Sequence, residues 1–117
     1  MNIGQILKQL VKLIKANDNI MIEGVSREFC SYRGYYEHLA MAESVGRQMA
    51  AVAFYNVLSD QLGQTFTGYK GGECVMTRRK LLFVAEYGRL GKQVGGVAVN
   101  DDGVAYLVLQ ETDFNGL

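Results

Sequence analysis

The pattern of apolar and polar residues is clearest in the first sixteen positions. Apolar residues recur there every three or four positions, at Ile3, Leu7, Leu10, Val11 and Ile14. The lysines of this segment fall mostly elsewhere on a 3.6-residue period. The pattern predicts an amphipathic helix over about residues 2–16, and the Asn17-Asp18-Asn19 segment is expected to end it.

A second helical pattern follows Ser44. Apolar positions keep a 3.6-residue period from Val45 to Leu62, and Gly63 ends it. Ser44 is a suitable N-cap, because its hydroxyl can accept a hydrogen bond from the first turn of a helix. Arg47 stands where a capping box would have Glu or Gln, so only half of that motif is present.

Short apolar runs between turn residues predict strands. We expect strands over 20–23, 27–32, 39–42, 74–77, 81–86, 94–100 and 104–111. The last two are joined by Asn100-Asp101-Asp102-Gly103, in which the glycine can adopt a positive φ, so we expect a type I turn with a bulge. These elements indicate an α+β fold, with an antiparallel sheet of about five or six strands and two amphipathic helices packed on it.

Length and composition limit the architecture and the partners. A chain of 117 residues, 49% of them hydrophobic, can bury one core, so residues 1–117 are expected to form a single ligand-binding domain. Twelve basic residues balance twelve acidic ones, so no overall field recruits nucleic acid or an anionic membrane. No apolar run approaches the roughly 20 residues that cross a bilayer. The lysine-containing N-terminus lacks a signal core, so we expect a cytoplasmic protein.

Cysteine and histidine content gives little support for catalysis or metal binding. Cys30 and Cys74 have no CxxC spacing and no histidine companion, so we expect free thiols that are dispensable for assembly. His38 is the single histidine, and a hydrogen-bonded structural role is favoured over a catalytic one. Glu37 and His38 are adjacent and would point apart, so we predict no metal site and no cofactor.

A first candidate binding segment is Ser31-Tyr32-Arg33-Gly34-Tyr35-Tyr36-Glu37-His38-Leu39-Ala40. Its three tyrosines, Tyr32, Tyr35 and Tyr36, bracket Arg33, whose planar fork can hold a phosphate in two hydrogen bonds or stack on an adenine. Gly34 allows a close backbone approach. The alternative is structural: the tyrosines cover the core edge and Arg33 pairs with Glu37 or Glu43. The residues alone leave both interpretations open.

A second candidate segment is Gly68-Tyr69-Lys70-Gly71-Gly72-Glu73. Its order does not fit a Walker loop, because that loop needs its lysine and a Ser or Thr after the last glycine, opening a helix, whereas a strand is predicted here. Backbone N–H groups and the Lys70 ammonium could contact an anion while Tyr69 stacks on a ring. The alternative is a glycine turn between a helix and a strand, with a solvated lysine.

These residues resemble a family of small bacteriophage proteins. The resemblance rests on S-Y-R-G-Y-Y-E-H-L-A, T-F-T-G-Y-K-G-G-E and a V-A-x-Y-G strand, and covers about residues 2–90. The proteins that the chain resembles are the Thoeris anti-defence sponge proteins, which sequester cyclic ADP-ribose isomers made by host TIR-domain enzymes. Relatives of that kind are also implicated in trapping cyclic oligonucleotides. The resemblance implies a symmetric homo-oligomer with pockets between subunits, in the cytoplasm of an infected bacterium.

When the family's binding positions are matched to this sequence residue by residue, the resemblance implies that residues of both motifs contact the ligand. These are Tyr32, Arg33, Gly34, Tyr35, Tyr36, Gly68, Tyr69, Lys70, Gly71, Gly72 and Glu73. Two further implied contacts depart from the family pattern: Cys74 stands where an aromatic is frequent, and Glu86 where an asparagine is. Because a carboxylate repels a phosphate and lacks donors, Glu86 is expected to alter or weaken ligand capture.

Taken together, the residues and the resemblance predict a non-enzymatic binding protein. It is expected to sequester a nucleotide-derived signalling molecule without degrading it. One alternative is a nucleotide-degrading enzyme with His38 and Glu37 as acid and base, and another is a protein–protein inhibitor that uses exposed tyrosine and arginine. The continuous apolar run from Val104 to Leu109 suggests a strand covered on both faces, which one small domain can hardly achieve. A homo-oligomer is therefore expected.

Overall fold

The computed structural model describes residues 1–30, 38–42, 48–67, 73–86 and 89–110. Within those ranges the chain forms two helices and nine strands, and the predicted α+β class is confirmed. In chain order the elements are α1 (Ile3–Ala16), β1 (Met21–Glu23), β2 (Phe29–Cys30), β3 (Leu39–Met41), β4 (Gln48–Ala50), α2 (Ala51–Ser59), β5 (Thr65–Thr67), β6 (Glu73–Val75), β7 (Leu82–Glu86), β8 (Arg89–Val99) and β9 (Ala105–Gln110).

Helix α1 confirms the first predicted element and begins with a capping box. The Gln5 backbone N–H donates to Asn2 Oδ1 at 2.8 Å, and the Asn2 N–H donates to Gln5 Oε1 at 2.9 Å. Two donors that a helix start would leave unsatisfied are thereby paired. The apolar face of α1 is buried at Ile3, Ile6, Leu7 and Leu10.

Helix α2 begins later than predicted. Residues 48–50 form β4 instead, which pairs antiparallel with β1, and Ser44 lies outside the described residues. The helix begins at Ala51, whose N–H donates to the Ile20 carbonyl at 2.9 Å. Its N-cap residue, Ala50, makes no capping hydrogen bond with its side chain. Pairing with β1 therefore outweighs the local helical pattern, because it satisfies the backbone of residues 48–50.

The main sheet is mixed rather than purely antiparallel. Among the described strands, seven form one sheet in the order β2-β3-β7-β8-β9-β1-β4, while β5 and β6 form a separate ribbon. The pairs β3–β7 and β1–β9 are parallel, and the other ladders are antiparallel. Parallel strands need long crossovers between them. The segment between β3 and β7 contains α2, and so does the longer segment between β1 and β9. Local sequence patterns do not reveal such distant pairings.

The β8–β9 hairpin confirms the predicted turn. The Gly103 N–H donates to the Asn100 carbonyl at 3.0 Å, and the Asn100 N–H donates to the Val104 carbonyl at 2.9 Å. Gly103 has φ +78°, in the left-handed region that favours glycine. Asn100 Oδ1 also accepts from the N–H groups of Asp102 and Val104. The turn residues therefore fix this hairpin locally.

The two faces of the sheet are covered differently. One face packs on α1 and α2, and its core includes Ile22, Leu82, Val94, Ala105 and Leu107. The second face is buried along β3 and β7, at Ala40, Phe83 and Ala85. Along β9 and β1, that second face exposes Met21, Tyr106 and Val108. The expectation that both faces of β9 are covered is therefore not met by the residues of one chain that the structure describes.

Gly91 gives a test of this sheet. It lies in β8 at an irregularity in the β7–β8 register, with φ +79°, and an added Cβ would overlap the Val84 carbonyl oxygen. Gly103 has almost the same φ but open space around its Cβ position. We expect Gly103→Ala to cost about 1–2 kcal/mol, and Gly91→Ala to cost more than about 4 kcal/mol because the backbone must move. Urea unfolding measures the free energy of unfolding of both variants. Equal losses in the two variants would contradict the overlap at Gly91.

Candidate functional site

Both candidate motifs connect antiparallel strands. The first lies between β2 and β3, where Phe29 faces Met41 and Cys30 faces Ala40, so the predicted strands on either side of it are confirmed. The second lies between β5 and β6, where Thr67 faces Glu73. The second motif was expected between a helix and a strand, but β5 precedes it, because Thr65–Thr67 pairs with β6. A strand also follows it, as predicted, which argues against a Walker loop.

Most of the predicted ligand contacts lie outside the described residues and stay predictions. They are Tyr32, Arg33, Gly34, Tyr35, Tyr36, Gly68, Tyr69, Lys70, Gly71 and Gly72. Glu73 is exposed and is the first residue of β6. The backbones of Cys74 and Glu86 lie in β6 and β7, and their side chains are outside the described part of the chain.

The strand register places the Glu86 backbone at the opposite end of β7 from Leu39. Strands β3 and β7 run parallel, with Leu39 opposite Leu82. Glu86 is the last residue of β7, four residues beyond Leu82. At about 3.3 Å per residue, its backbone is about 13 Å along the strand from the level of Leu39.

His38 links the end of the first motif to β7. Its Nδ1 accepts a hydrogen bond from the Leu81 N–H at 3.2 Å, and its ring centroid is 5.7 Å from that of Phe83. The adjacent Leu39 N–H donates to the Leu81 carbonyl at 3.0 Å. An imidazole nitrogen that accepts a backbone hydrogen bond carries no proton to donate. This geometry favours the structural role for His38.

A basic turn that was not predicted from the sequence lies next to this contact. We define the basic turn as residues 77–80, which contain Arg78, Arg79 and Lys80. The turn is closed by the Lys80 N–H, which donates to the Thr77 carbonyl at 3.1 Å. Three consecutive basic residues before a strand were the available signal.

The basic turn is attached to the start of α1 by its backbone. The carbonyls of Lys80 and Arg78 accept from the N–H groups of Ile3 and Gly4, at 2.9 and 3.0 Å. With Gln5 bound to Asn2 Oδ1 and Ile6 to the Asn2 carbonyl, the first four N–H groups of α1 all have acceptors. The helix N-terminus is therefore already satisfied and offers no anion site.

The described residues do not form a metal site, and comparisons with known proteins identify no relative. Within the described ranges, no group of three His, Cys, Asp or Glu side chains could hold a metal ion. The helices described in the chain are too short or too polar to cross a membrane. Comparisons with protein-family models, with curated proteins and with solved structures give no match. The function proposed below therefore rests on this chain's own residues and on the resemblance described in the sequence analysis.

The hydrogen bond to His38 can be tested by substitution. His38→Ala removes the acceptor of the Leu81 N–H and should lower the free energy of unfolding by about 1–2 kcal/mol. In His38→Asn the amide oxygen can take the place of Nδ1, so we expect a smaller loss. Chemical denaturation of both variants measures the difference. Equal destabilisation by Ala and Asn would contradict a structural role for this hydrogen bond.

Proposed function

We propose that this chain is a phage-type anti-defence protein that captures a nucleotide-derived signalling molecule and holds it without degrading it. The ligand is a cyclic ADP-ribose isomer, a cyclic oligonucleotide, or both. The observation that supports the proposal is that both motifs join paired antiparallel strands. Each set of cation, tyrosine and glycine is thus carried by a connection between paired strands, where binding residues are common.

The motif chemistry matches the two parts of a nucleotide. The Arg33 guanidinium can hold a phosphate in two hydrogen bonds, and the Lys70 ammonium can add a charge. Tyr69, with Tyr35 or Tyr36, can stack on a base. Glycines at positions 34, 71 and 72 leave room for the backbone to approach the ligand closely.

Tight capture of a small ligand requires enclosure. Nanomolar affinity corresponds to about −12 kcal/mol, which a small molecule reaches only when most of its surface is buried. We propose that a homo-oligomer supplies this enclosure, with pockets between subunits. The second face of β9 and β1 exposes Met21, Tyr106 and Val108 beside the half-buried Glu23. These apolar side chains support this part of the proposal, since a second chain would cover them.

His38 Nδ1 accepts from the Leu81 N–H, so the acid or base of the nucleotide-degrading alternative would have to be Nε2 of this ring. Whether the bound ligand is released intact distinguishes capture from turnover. The test is to incubate the protein with cyclic ADP-ribose isomers and cyclic oligonucleotides, remove unbound ligand, denature the protein and analyse what is released by mass spectrometry. Intact ligand supports capture, altered ligand supports the enzyme alternative, and no ligand supports the protein–protein inhibitor.

Substitutions in the motifs should reduce binding and spare folding. Arg33→Ala and Tyr69→Ala should each cost about 1.5–3 kcal/mol of binding, the range of a charge-assisted hydrogen bond or a stacked base. Arg33→Lys should restore little, because an ammonium cannot reproduce the fork. Arg27→Ala is the matched control, since Arg27 is exposed and precedes β2. Calorimetric titration gives the affinities. Lower melting temperatures with proportionate loss of capture would instead support the structural alternative.

The assembly is tested by two valines of equal exposure. Val108 on the open face of β9 is 40% exposed and Val52 on α2 is 41% exposed. We expect a stable oligomer in sedimentation at protein concentrations on the order of tens of micromolar. Val108→Lys should produce monomers, because it places like charges in the interface, and Val52→Lys should not. A monomeric wild-type protein would refute the assembly and the pocket between subunits.

A further inference from the structure

The solvent side of α1 carries cations and no carboxylates. The helix contains three lysines and no Asp or Glu, and its lysines, Lys8, Lys12 and Lys15, are all exposed. They follow one another at positions i, i+4 and i+7, so they form one row along the helix. The apolar face of the same helix is buried in the core. The row of lysines therefore faces solvent.

The basic turn extends this row at the start of the helix. Its residues Arg78 and Arg79 are exposed. The Gly4 N–H donates to the Arg78 carbonyl at 3.0 Å, and a Cβ added at Gly4 would be 3.1 Å from the Arg78 Cβ. Gly4 lies one helical turn before Lys8, on the same side of the helix. We define the basic surface as the five exposed cations Lys8, Lys12, Lys15, Arg78 and Arg79.

The folded chain gains little from the charges of the basic surface. Within the described part of the chain, none of the five cations has a carboxylate at ion-pair distance. Lysines spaced i, i+3 and i, i+4 repel one another and destabilise the helix slightly. The turn also holds Arg78 and Arg79 beside the N-terminus of α1, where the helix dipole is positive and favours carboxylates. Cations concentrated where the fold favours the opposite charge indicate that an external anion balances them.

The basic surface lacks the features of a protein or membrane partner site. Neither α1 nor the basic turn exposes a large apolar side chain, whereas protein interfaces depend on aromatic or aliphatic anchors at their centre. Because the apolar face of α1 is buried in the core, the helix cannot insert that face into a bilayer. Cations without apolar neighbours are typical of contacts to nucleic-acid phosphates.

We propose that the basic surface binds the phosphate backbone of a nucleic-acid duplex without reading its sequence. From Gly4 to Lys15 the row extends about 16 Å along the helix axis. Duplex DNA carries one negative charge about every 1.7 Å along its axis, so this length covers several phosphates. Single strands are bound by aromatic stacking, and neither α1 nor the turn contains an aromatic residue. The inference uses none of the ligand-binding residues proposed above and is independent of the proposed function.

The experiment titrates labelled DNA and RNA duplexes of about 20 base pairs and follows fluorescence anisotropy in about 50–200 mM NaCl. If each of the five cations neutralises one phosphate, the slope of log K against log salt concentration is about −4.5, and affinity falls about 500-fold over this range. Lys12→Gln should make the slope shallower by about 0.9. Arg27→Gln is the matched control, because it removes an equal charge from an exposed residue outside the basic surface. It should bind like the wild type.

A charge reversal separates binding from folding. In Lys12→Glu the new carboxylate lies at helical spacing from Lys8 and Lys15, so the melting temperature should equal or exceed that of the wild type. Binding to the duplex should fall about tenfold or more at about 0.1 M salt, because one phosphate contact is lost and a like charge faces the backbone. Partial unfolding cannot weaken binding while it preserves the melting temperature. Lys8→Gln replaces Lys12→Glu if that variant does not fold.

Each result supports or overturns the inference. Salt-sensitive binding of either duplex that Lys12→Glu weakens and Arg27→Gln preserves supports it, and the duplex bound more tightly identifies the nucleic acid. No binding at about 50 mM salt overturns it, and so does binding that Lys12→Glu leaves unchanged. Tighter binding to a single strand of the same length, or to phosphatidylserine vesicles in place of the duplex, also overturns it. Salt-sensitive self-association that Lys12→Glu abolishes would assign the surface to a second copy of the chain and overturn it.

Discussion

The junction between the start of α1 and the basic turn organises this end of the molecule. The backbone carbonyls of Lys80 and Arg78 accept hydrogen bonds from the N–H groups of Ile3 and Gly4, which have no acceptor within the helix. A buried N–H without a partner costs about 1–3 kcal/mol, so the helix, the turn and the following strand are held in one arrangement. Leu81 extends the junction to β3 through His38 and Leu39. His38 and Leu39, at the C-terminal end of the first motif, are therefore hydrogen-bonded to this junction.

The two faces of the main sheet are covered by different parts of the chain. Both helices cover one face and form the main core, whereas the buried apolar side chains that the structure describes on the other face lie along β3 and β7. Alternation in β9 buries Ala105 and Leu107 and leaves Tyr106 and Val108 exposed, although the sequence there is apolar throughout. An apolar run can thus mark a strand whose second face is completed by something other than its own chain.

Local features could be predicted from the sequence because local physics determines them. The 3.6-residue period defines α1, and Asn100 and Gly103 define the β8–β9 turn through their own hydrogen bonds and φ. Long-range features could not: the pairing of Met21 with Ala50 converts the predicted start of α2 into a strand, and the two parallel ladders join segments far apart in the chain. The contacts proposed at Arg33 and Tyr69 stay predictions.

The strand register also bears on position 86. The resemblance has an amide there, and repulsion of a phosphate was the expected consequence. Strand β3 pairs with β7 from Leu82 to Val84, and the Glu86 backbone is about 13 Å along β7 from the level of Leu82. The consequence of a carboxylate at this position therefore depends on how far a ligand extends along β7, which a comparison of residue types at position 86 does not reveal.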